Sequence, residues 1–187
     1  MTTKILNNVF ILGIVVLLLS FDIPKGWFKA GSKPSDYEMG TDKNSGHDGK
    51  NAATIQSISP VIDGFGTLMQ DCKPGKYLGK RVRMTGYVKS KDVNGWAGLW
   101  FRVDGDVRGH SLSFDNMQNR AIKGTSGWKK YEIVLDVPQN ATNLAYGALL
   151  AGTGQIWFDD INFEIVGNET DITGPALNEP ANLDFKN

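Results

Sequence analysis

Short segments in which apolar and polar residues alternate recur along most of the chain. Alternation with a period of two predicts β-strands, because successive side chains of a strand face opposite sides of a sheet. No stretch keeps the 3.6-residue period of an amphipathic helix. Glycine-containing turn sequences such as Pro74-Gly75, Asn94-Gly95 and Gly152-Thr153-Gly154 separate the segments. The predicted strands are residues 52–58, 65–72, 81–89, 96–103, 111–117, 130–137, 144–150 and 155–166.

Parity within these strands separates predicted core residues from predicted surface residues. In residues 96–103 one face is entirely apolar, with Ala97, Leu99, Phe101 and Val103. The opposite face holds Trp96, Gly98, Trp100 and Arg102. Parity also directs Leu112 and Phe114 inward and Asp115 to the face of the two tryptophans. The predicted core is Leu99, Phe101, Phe114, Tyr131, Ile133 and Leu135.

Composition agrees with a single all-β domain. The chain has 187 residues, of which 41% are hydrophobic and 22 are glycine, and this glycine content favours many tight turns. Lys plus Arg and Asp plus Glu each number 20, so no net field directs the protein to nucleic acid or to an anionic membrane. Cys72 is the sole cysteine, which excludes an intrachain disulfide and predicts a buried, inert thiol.

The first residues have the pattern of a targeting segment. Lys4 precedes the apolar run VFILGIVVLLLSF, residues 9–21, with the charge order and length of a secretory signal peptide. We therefore expect export, to the periplasm, the cell surface or the medium, with retention as an N-terminal membrane anchor as the alternative. The expected organisation is residues 1–21 as signal peptide or anchor, residues 25–166 as the domain, and residues 167–187 as a polar tail or linker.

Several sequence motifs, taken in order, resemble a known class of domain. They are GHDGKNAATIQS, GKRVRMTGYVKS, GTSGWKKYEIVLDVP and GTGQIWFDDINFEIV. This order resembles the carbohydrate-binding-module jelly rolls of the galactose-binding-like class. More narrowly, GWAGLWFRVDG and SFDNMQNR look like an uncharacterised bacterial domain found beside transcription-regulator or hydrolase domains. The resemblance implies a two-sheet antiparallel jelly-roll β-sandwich and a non-catalytic module that binds a carbohydrate or another small polar ligand.

Two other functional classes stay open beside that one. The same exposed aromatic residues would serve a protein-protein interaction or structural module. A jelly-roll lyase or glycosidase would need paired carboxylates, for which Asp104, Asp106 and Asp115 are the candidates. Only His47 and His110 offer near-neutral acid-base groups, and neither stands in a recognised catalytic motif. We therefore expect no enzymatic activity. The final PANLDFKN resembles the Asn-Leu-x-Phe-Glu segment that usually precedes the GW segment in these modules. Three interpretations stay open: a domain boundary in relatives, the missing edge strand, and a disordered tail.

Calcium is the cofactor that the resemblance implies. Modules of this class hold a structural calcium ion between a glycine-rich turn and the last strand, and calcium prefers six to eight oxygen ligands. The corresponding residues here are Asp42, Asn44, Gly46, Lys50 through its carbonyl, Asp159 and Asp160. The alternative is that Asp42 and Asn44 only shape the turn.

The predicted ligand face surrounds the two tryptophans. Trp96 and Trp100 stand four residues apart, roughly 13 Å along a strand, and Gly98 would leave an open floor between them. Apolar faces of a sugar ring can lie on indole, while charged side chains meet its hydroxyls. The predicted ligand-binding residues are Trp96, Trp100, Arg102, Asp115, Asn116, Arg83 and Tyr87. The alternative is that both indoles belong to the core.

Overall fold

Strands form in all eight segments whose alternation predicted them, and two further strands precede these. The computed structural model describes residues 21–107 and 110–174, and contains no α-helix within them. Three short 3-10 turns connect strands, at Pro34–Asp36, Gly75–Tyr77 and Gln118–Arg120. The strands are β1 (Phe28–Gly31), β2 (Tyr37–Asp42), β3 (Ala52–Ser57), β4 (Phe65–Cys72), β5 (Lys80–Asp104), β6 (Ser111–Asp115), β7 (Ile122–Val137) and β8 (Asn143–Val166).

The strands pair antiparallel throughout and form two packed sheets. The first sheet has the order β1, β4, residues 143–151 of β8, residues 94–104 of β5, and β6. The second has the order β2, β3, residues 155–166 of β8, residues 80–91 of β5, and β7. This is the predicted two-sheet jelly-roll sandwich, and the fold class is confirmed.

The long strands β5 and β8 pass from one sheet to the other, which corrects two predicted turns. Asn94-Gly95 and Gly152-Thr153-Gly154 bend these strands instead of ending them, and the register shifts between Lys91 and Asn94. Gly95, Gly152 and Gly154 have φ values of 125°, 77° and 123°. At Gly95 an added Cβ would collide with the backbone of Ala151. Glycine therefore permits the bend where the two backbones come closest.

The core lies between the sheets, largely where parity predicted it. Leu99, Phe101 and Ile133 are fully buried and Leu135 is nearly so, while Tyr131 is half-buried against them. β1 and β2 were not predicted. β1 has only four residues, and in β2 the alternation of Tyr37, Glu38 and Met39 covers only three residues before Gly40. Cys72 ends β4 in an exposed position, so the prediction of a buried thiol is wrong.

Strand β6 faces the opposite way from its prediction. In an antiparallel pair, residues directly opposite each other share a face. Phe114 is opposite Arg102, and Asp115 is opposite the core residue Phe101. Leu112 and Phe114 are accordingly exposed, each at 38%, whereas Asp115 is only 4% exposed. Placing Leu112 and Phe114 in the core, and Asp115 beside the tryptophans, was wrong.

The residues after β8 contact the sandwich as far as they are described. Thr173 accepts a hydrogen bond at its hydroxyl from the backbone N–H of Val134, and donates from its own N–H to the Val134 carbonyl. Arg81 donates to the carbonyls of Asn168 and Thr170. Residues 167–174, which belong to the predicted polar tail, thus lie along the edge of β7.

Two sequence predictions lie outside the described residues. These are the apolar run up to residue 20 and the PANLDFKN segment at residues 180–187. Within residues 21–107 and 110–174, no helix has the length and apolar character needed to cross a membrane.

Candidate functional site

A groove crosses the outer face of the first sheet, with Trp96 in its wall. Its first part, which we call the apolar half, has a volume of about 460 Å³. Five strands and the segments beside them contribute, because β1, β4, β5, β6 and β8 all turn side chains to this face. The side chains that line the apolar half are Ala30, Phe65, Thr67, Met69, Trp96, Trp100, Arg102, Phe114, Asn116, Leu149 and Ala151.

The two tryptophans have different positions in this groove. Trp100 is only 6% exposed and packs against Ala145 and Leu149 on the outer face of the sheet. Its Nε1 donates to Oγ1 of Thr67 at 2.8 Å. Trp96 is half-buried and packs beside this cluster. Trp100 therefore forms the floor of the groove, and Trp96 is the indole with a larger accessible surface.

Gly98 does not leave the open floor that its spacing suggested. A Cβ on Gly98 would lie 2.9 Å from the carbonyl oxygen of Asn116 and 3.1 Å from Cβ of Met117. The chain after β6 passes over this position, and Asn116 thereby reaches the groove. Glycine is needed there for a close backbone approach.

The second part of the groove, the polar half, has a volume of about 580 Å³ and adjoins the first at Arg102 and Phe114. Arg102 forms an ion pair with Asp104, with Nε and Oδ1 2.8 Å apart. Nδ2 of Asn143 donates to Oδ2 of the same carboxylate at 3.2 Å. The remaining polar side chains that line this half are Asp106, His110, Ser111 and Thr142.

Asp115 lies away from this groove and holds three parts of the chain together. Its carboxylate accepts hydrogen bonds from Arg120 Nη2 at 2.7 Å, from the Met117 N–H at 2.8 Å, and from the Thr173 hydroxyl. Burial by itself would raise the pKa of Asp115, but these three donors outweigh it and lower the pKa below its ordinary value. The ligand-binding role predicted for Asp115 is therefore replaced by a structural one.

Arg83 and Tyr87 are also absent from the groove, because both lie on the outer face of the second sheet. Arg83 is bracketed by Glu132 and Glu164, at 3.3 and 2.9 Å. The Tyr87 ring stacks on His47 with centroids 3.7 Å apart. The structure therefore brings together Trp96, Trp100, Arg102 and Asn116 of the predicted ligand-binding set, and separates Arg83, Tyr87 and Asp115 from them.

A second aromatic surface surrounds Tyr87. Lys89 places its Nζ 4.3 Å from the Trp157 ring centroid and 5.2 Å from that of Trp128. Nε1 of Trp157 donates to Oδ2 of Asp42 at 2.6 Å. The lysine ammonium thus lies between the two indoles and makes a cation–π contact with each of them.

The predicted calcium residues fall into two groups. Asp159 Oδ2 accepts the His47 N–H at 3.0 Å, and Gly46 donates to the Lys50 carbonyl at 3.0 Å. A Cβ on Gly46 would lie 2.8 Å from the Asn51 carbonyl oxygen and 2.9 Å from Asp159 Oδ2. Two oxygens, the Asn51 carbonyl and the Asp159 carboxylate, thus face a space that only glycine leaves open, and oxygen is the ligand atom that calcium prefers.

The other predicted calcium residues have different contacts. The Asp42 carboxylate is occupied by Trp157, Asn44 is exposed with a φ of 60°, and Asp160 contacts the His47 ring. In the described part of the chain, no three His, Cys, Asp or Glu side chains cluster in a way that could hold a metal ion. Any cation here would therefore depend on backbone carbonyls together with Asp159.

Phe65, Phe114, Asp104 and Asn143 line the groove but were not predicted to bind the ligand. Asp104 was singled out from the sequence only as a candidate carboxylate for catalysis. The pairing of Phe114 with Arg102, two residues from Trp100, places it in the groove, and this pairing was not visible in the alternation of β6.

The fold is a jelly roll that carbohydrate-binding modules of known structure share. The CBM22-1 xylan-binding domain of Paenibacillus barcinonensis superposes with a TM-score of 0.54 at 18% identity, covering 77% of this chain and 88% of that domain. The CBM22-1–GH10 modules of Clostridium thermocellum endo-1,4-β-D-xylanase 10B, complexed with xylohexaose, give a TM-score of 0.55 at 14% identity, covering 79% of this chain and 27% of theirs.

The enzymatically active domain of bacteriophage CBA120 tailspike protein 4 superposes as well, with a TM-score of 0.52 at 14% identity, over 76% of this chain and 20% of that chain. At such low identities the similarity establishes the fold alone. A shared fold does not fix a function.

The sequence itself is similar to the uncharacterized HTH-type transcriptional regulator YbfP of Bacillus subtilis (strain 168). The two are 43% identical over 168 residues, which cover 87% of this chain and 57% of the regulator. The chain thus spans little more than half the length of this curated relative. No protein-family model matches the chain. The narrower resemblance noted in the sequence fits this relative loosely, because its name does not say which part of it matches.

Proposed function

We propose that the protein is an exported, non-catalytic binding module that takes a carbohydrate in the groove on the first sheet. The observation that carries this proposal is the position of Trp96, half-buried in the wall of a groove whose polar half holds Arg102, Asp104 and Asn143. An accessible indole offers a flat apolar surface to one part of the ligand, and the charged and amide groups offer partners for sugar hydroxyls.

Two further observations support a binding role. The apolar half of the groove is formed largely by strands of a packed sheet, so its lining is held in place before the ligand arrives, which lowers the entropic cost of binding. Structures of this fold include a domain described as xylan-binding and one complexed with xylohexaose. Among the carboxylates nominated for catalysis, Asp115 is bound to Arg120 and Asp104 to Arg102, which favours binding over acid-base chemistry.

A glycan array tests this proposal when it is probed with the whole chain and with two matched variants. We expect Trp96→Ala to abolish the signal for any glycan that the wild-type protein binds. Trp128→Ala is the control, because Trp128 is also half-buried but lies on the second sheet. Loss of signal in Trp128→Ala, with Trp96→Ala unaffected, would place the glycan site on the other face and refute the proposed groove.

A protein-protein interaction module is the second candidate. Phe28, Phe65 and Phe114 lie on the groove face and are 41%, 37% and 38% exposed, and exposed apolar surface of this kind marks interaction sites. If the array gives no signal, while Phe28→Ala or Phe114→Ala reduces self-association or capture of a purified partner, this second function replaces the first.

We further propose a structural calcium ion beside Gly46, held by Asp159 and by carbonyls of the 43–51 turn. The convergence of the Asn51 carbonyl and the Asp159 carboxylate on one space supports it.

Export is proposed from the sequence of the N-terminal apolar run alone. It is tested by fractionating cells that express the full chain and by determining the N-terminal residue of the exported product.

A further inference from the structure

The apolar half of the groove has few polar groups to offer a ligand. The Thr67 hydroxyl, at its floor, donates to the Ala148 carbonyl at 2.7 Å and accepts from Trp100 Nε1 at 2.8 Å. Asn116 Oδ1 accepts the Gln118 N–H at 3.1 Å. Sugar hydroxyls placed over this floor would lose their water without gaining partners, which costs free energy. This half therefore favours an apolar group.

The polar half has the opposite character. It contains the carboxylates of Asp104 and Asp106, the guanidinium of Arg102 and the amide of Asn143. Among the described residues of this lining, two carboxylates outnumber one guanidinium, which gives these residues a net negative charge. Donors and acceptors of both kinds suit the hydroxyls of a sugar. The net negative charge favours a neutral sugar over an acidic one.

The two halves are close enough to serve one ligand. They share Arg102 and Phe114, and Trp100 lies two residues from Arg102 along β5, roughly 7 Å. A sugar ring among the polar groups would therefore have its neighbouring substituent over Trp100 and beside Phe114. Among residues 21–107 and 110–174, Arg102 is the charged side chain that lines the apolar half.

We infer that the groove takes a neutral glycoside whose sugar carries an aromatic or other apolar group, with the sugar in the polar half and the apolar group in the apolar half. This rests on the proposed function, and it adds the chemistry of the ligand beyond the sugar. Phe114, at the junction of the halves, determines the preference for the apolar group.

The inference is tested by titration calorimetry of the whole chain with paired glycosides of glucose, galactose and xylose. Each sugar is used as its methyl glycoside and as its 4-methylumbelliferyl glycoside. We expect the aryl glycoside of at least one sugar to bind about tenfold more tightly or better, since burial of an aromatic ring supplies a gain of this order. Phe114→Ala should remove most of that preference.

Two matched variants separate the halves of the groove. Ile58→Ala removes an apolar side chain that is 58% exposed outside the groove, and should leave the preference unchanged. Asn143→Ala should weaken the methyl and aryl glycosides by the same factor, because it lies in the polar half.

Three other outcomes of this titration would contradict the inference. Equal binding of methyl and aryl glycosides overturns the inference and leaves the proposed function standing. If free 4-methylumbelliferone binds as tightly as its glycosides, and Asn143→Ala has no effect, the site takes no sugar and both fall. If none of these glycosides binds, the inference falls, whereas the proposed function is decided separately by the glycan array.

Discussion

At the scale of single residues, the two tryptophans of β5 differ in what their removal should do. Trp100→Ala should lower the free energy of unfolding by about 3 to 5 kcal/mol, the range typical of emptying a buried aromatic site, because its indole is 94% buried and bonded to Thr67. Trp96→Ala should cost less, because Trp96 is half-buried at the edge of the same cluster. Denaturant titration measures both, and equal losses would contradict the distinction between floor and wall.

Asp115 provides a prediction about acid. Its pKa is lowered in the folded protein, so its contribution to stability is present above the unfolded-state pKa of about 3.9 and is lost as the pH falls through the folded pKa. Asp115→Asn should therefore lower the free energy of unfolding by about 1 to 3 kcal/mol at pH 7. The difference from wild type should shrink below about pH 4.

The control for this prediction is an exposed carboxylate. Asp48 pairs with Lys50 at the surface, and such pairs contribute little, so Asp48→Asn should leave the unfolding curve nearly unchanged. A constant difference between Asp115→Asn and wild type from pH 7 to pH 3 would show that the Asp115 charge is not what stabilises this region.

Residue-scale prediction from the sequence succeeded where one face of a strand is entirely apolar. Ala97, Leu99, Phe101 and Val103 are all fully buried, as parity required. It failed for β6, where Leu112 and Phe114 read as a core face while Asp115 is the buried residue. The reason is physical: a buried carboxylate is acceptable when Arg120, Met117 and Thr173 supply donors. Thr173 is 58 residues from Asp115, so its part in this arrangement is not visible in a local pattern.

At the scale of elements, the segment after β8 links β7 to β6 through hydrogen bonds. Thr173 contacts Val134 of β7 and Asp115 of β6. Thr173→Ala should lower the free energy of unfolding by about 1 kcal/mol, since it removes side-chain hydrogen bonds. Thr170→Ala is the matched control, because Arg81 contacts only the Thr170 carbonyl, which the substitution retains. Equal unfolding midpoints for both variants would show that the Thr173 hydrogen bonds contribute nothing to stability.

The turn between β2 and β3 provides a prediction about calcium. An ion bound only by the folded state stabilises it by mass action, so a chelator should lower the melting temperature of protein prepared with calcium. Asp159→Ala should abolish this response, whereas Asp42→Asn should retain it, because the Asp42 carboxylate is bonded to Trp157. If neither calcium nor chelator changes the melting temperature, the proposed calcium site beside Gly46 is refuted.

Element boundaries followed the sequence only in part. The alternation located the strands, but Asn94-Gly95 and Gly152-Thr153-Gly154 read as turns although β5 and β8 continue through them. A glycine with positive φ permits either a turn or a sharp bend. Which one forms depends on the pairing of β5 with β8, a contact between distant segments that local sequence does not encode.

At the scale of the whole molecule, the balance of 20 basic and 20 acidic residues leaves recognition to the local chemistry of the groove. The order of motifs along the chain predicted the jelly roll. It did not predict the groove's lining, because Phe65, Asn143 and Phe114 come from three strands that meet only after folding.

The central claim is that the ligand binds on the first sheet, and the indole N–H signals of the five tryptophans test it most directly. In a ¹H–¹⁵N correlation spectrum, each indole gives one signal that reports on its surroundings. The protein is titrated with a glycan that the array identifies, or with xylohexaose in the first instance. We predict that the chemical shift of the Trp96 indole changes and reaches a plateau as the site fills, while those of Trp128 and Trp157 stay constant. Movement of Trp128 or Trp157 with Trp96 unchanged would contradict the assignment of the site to this groove.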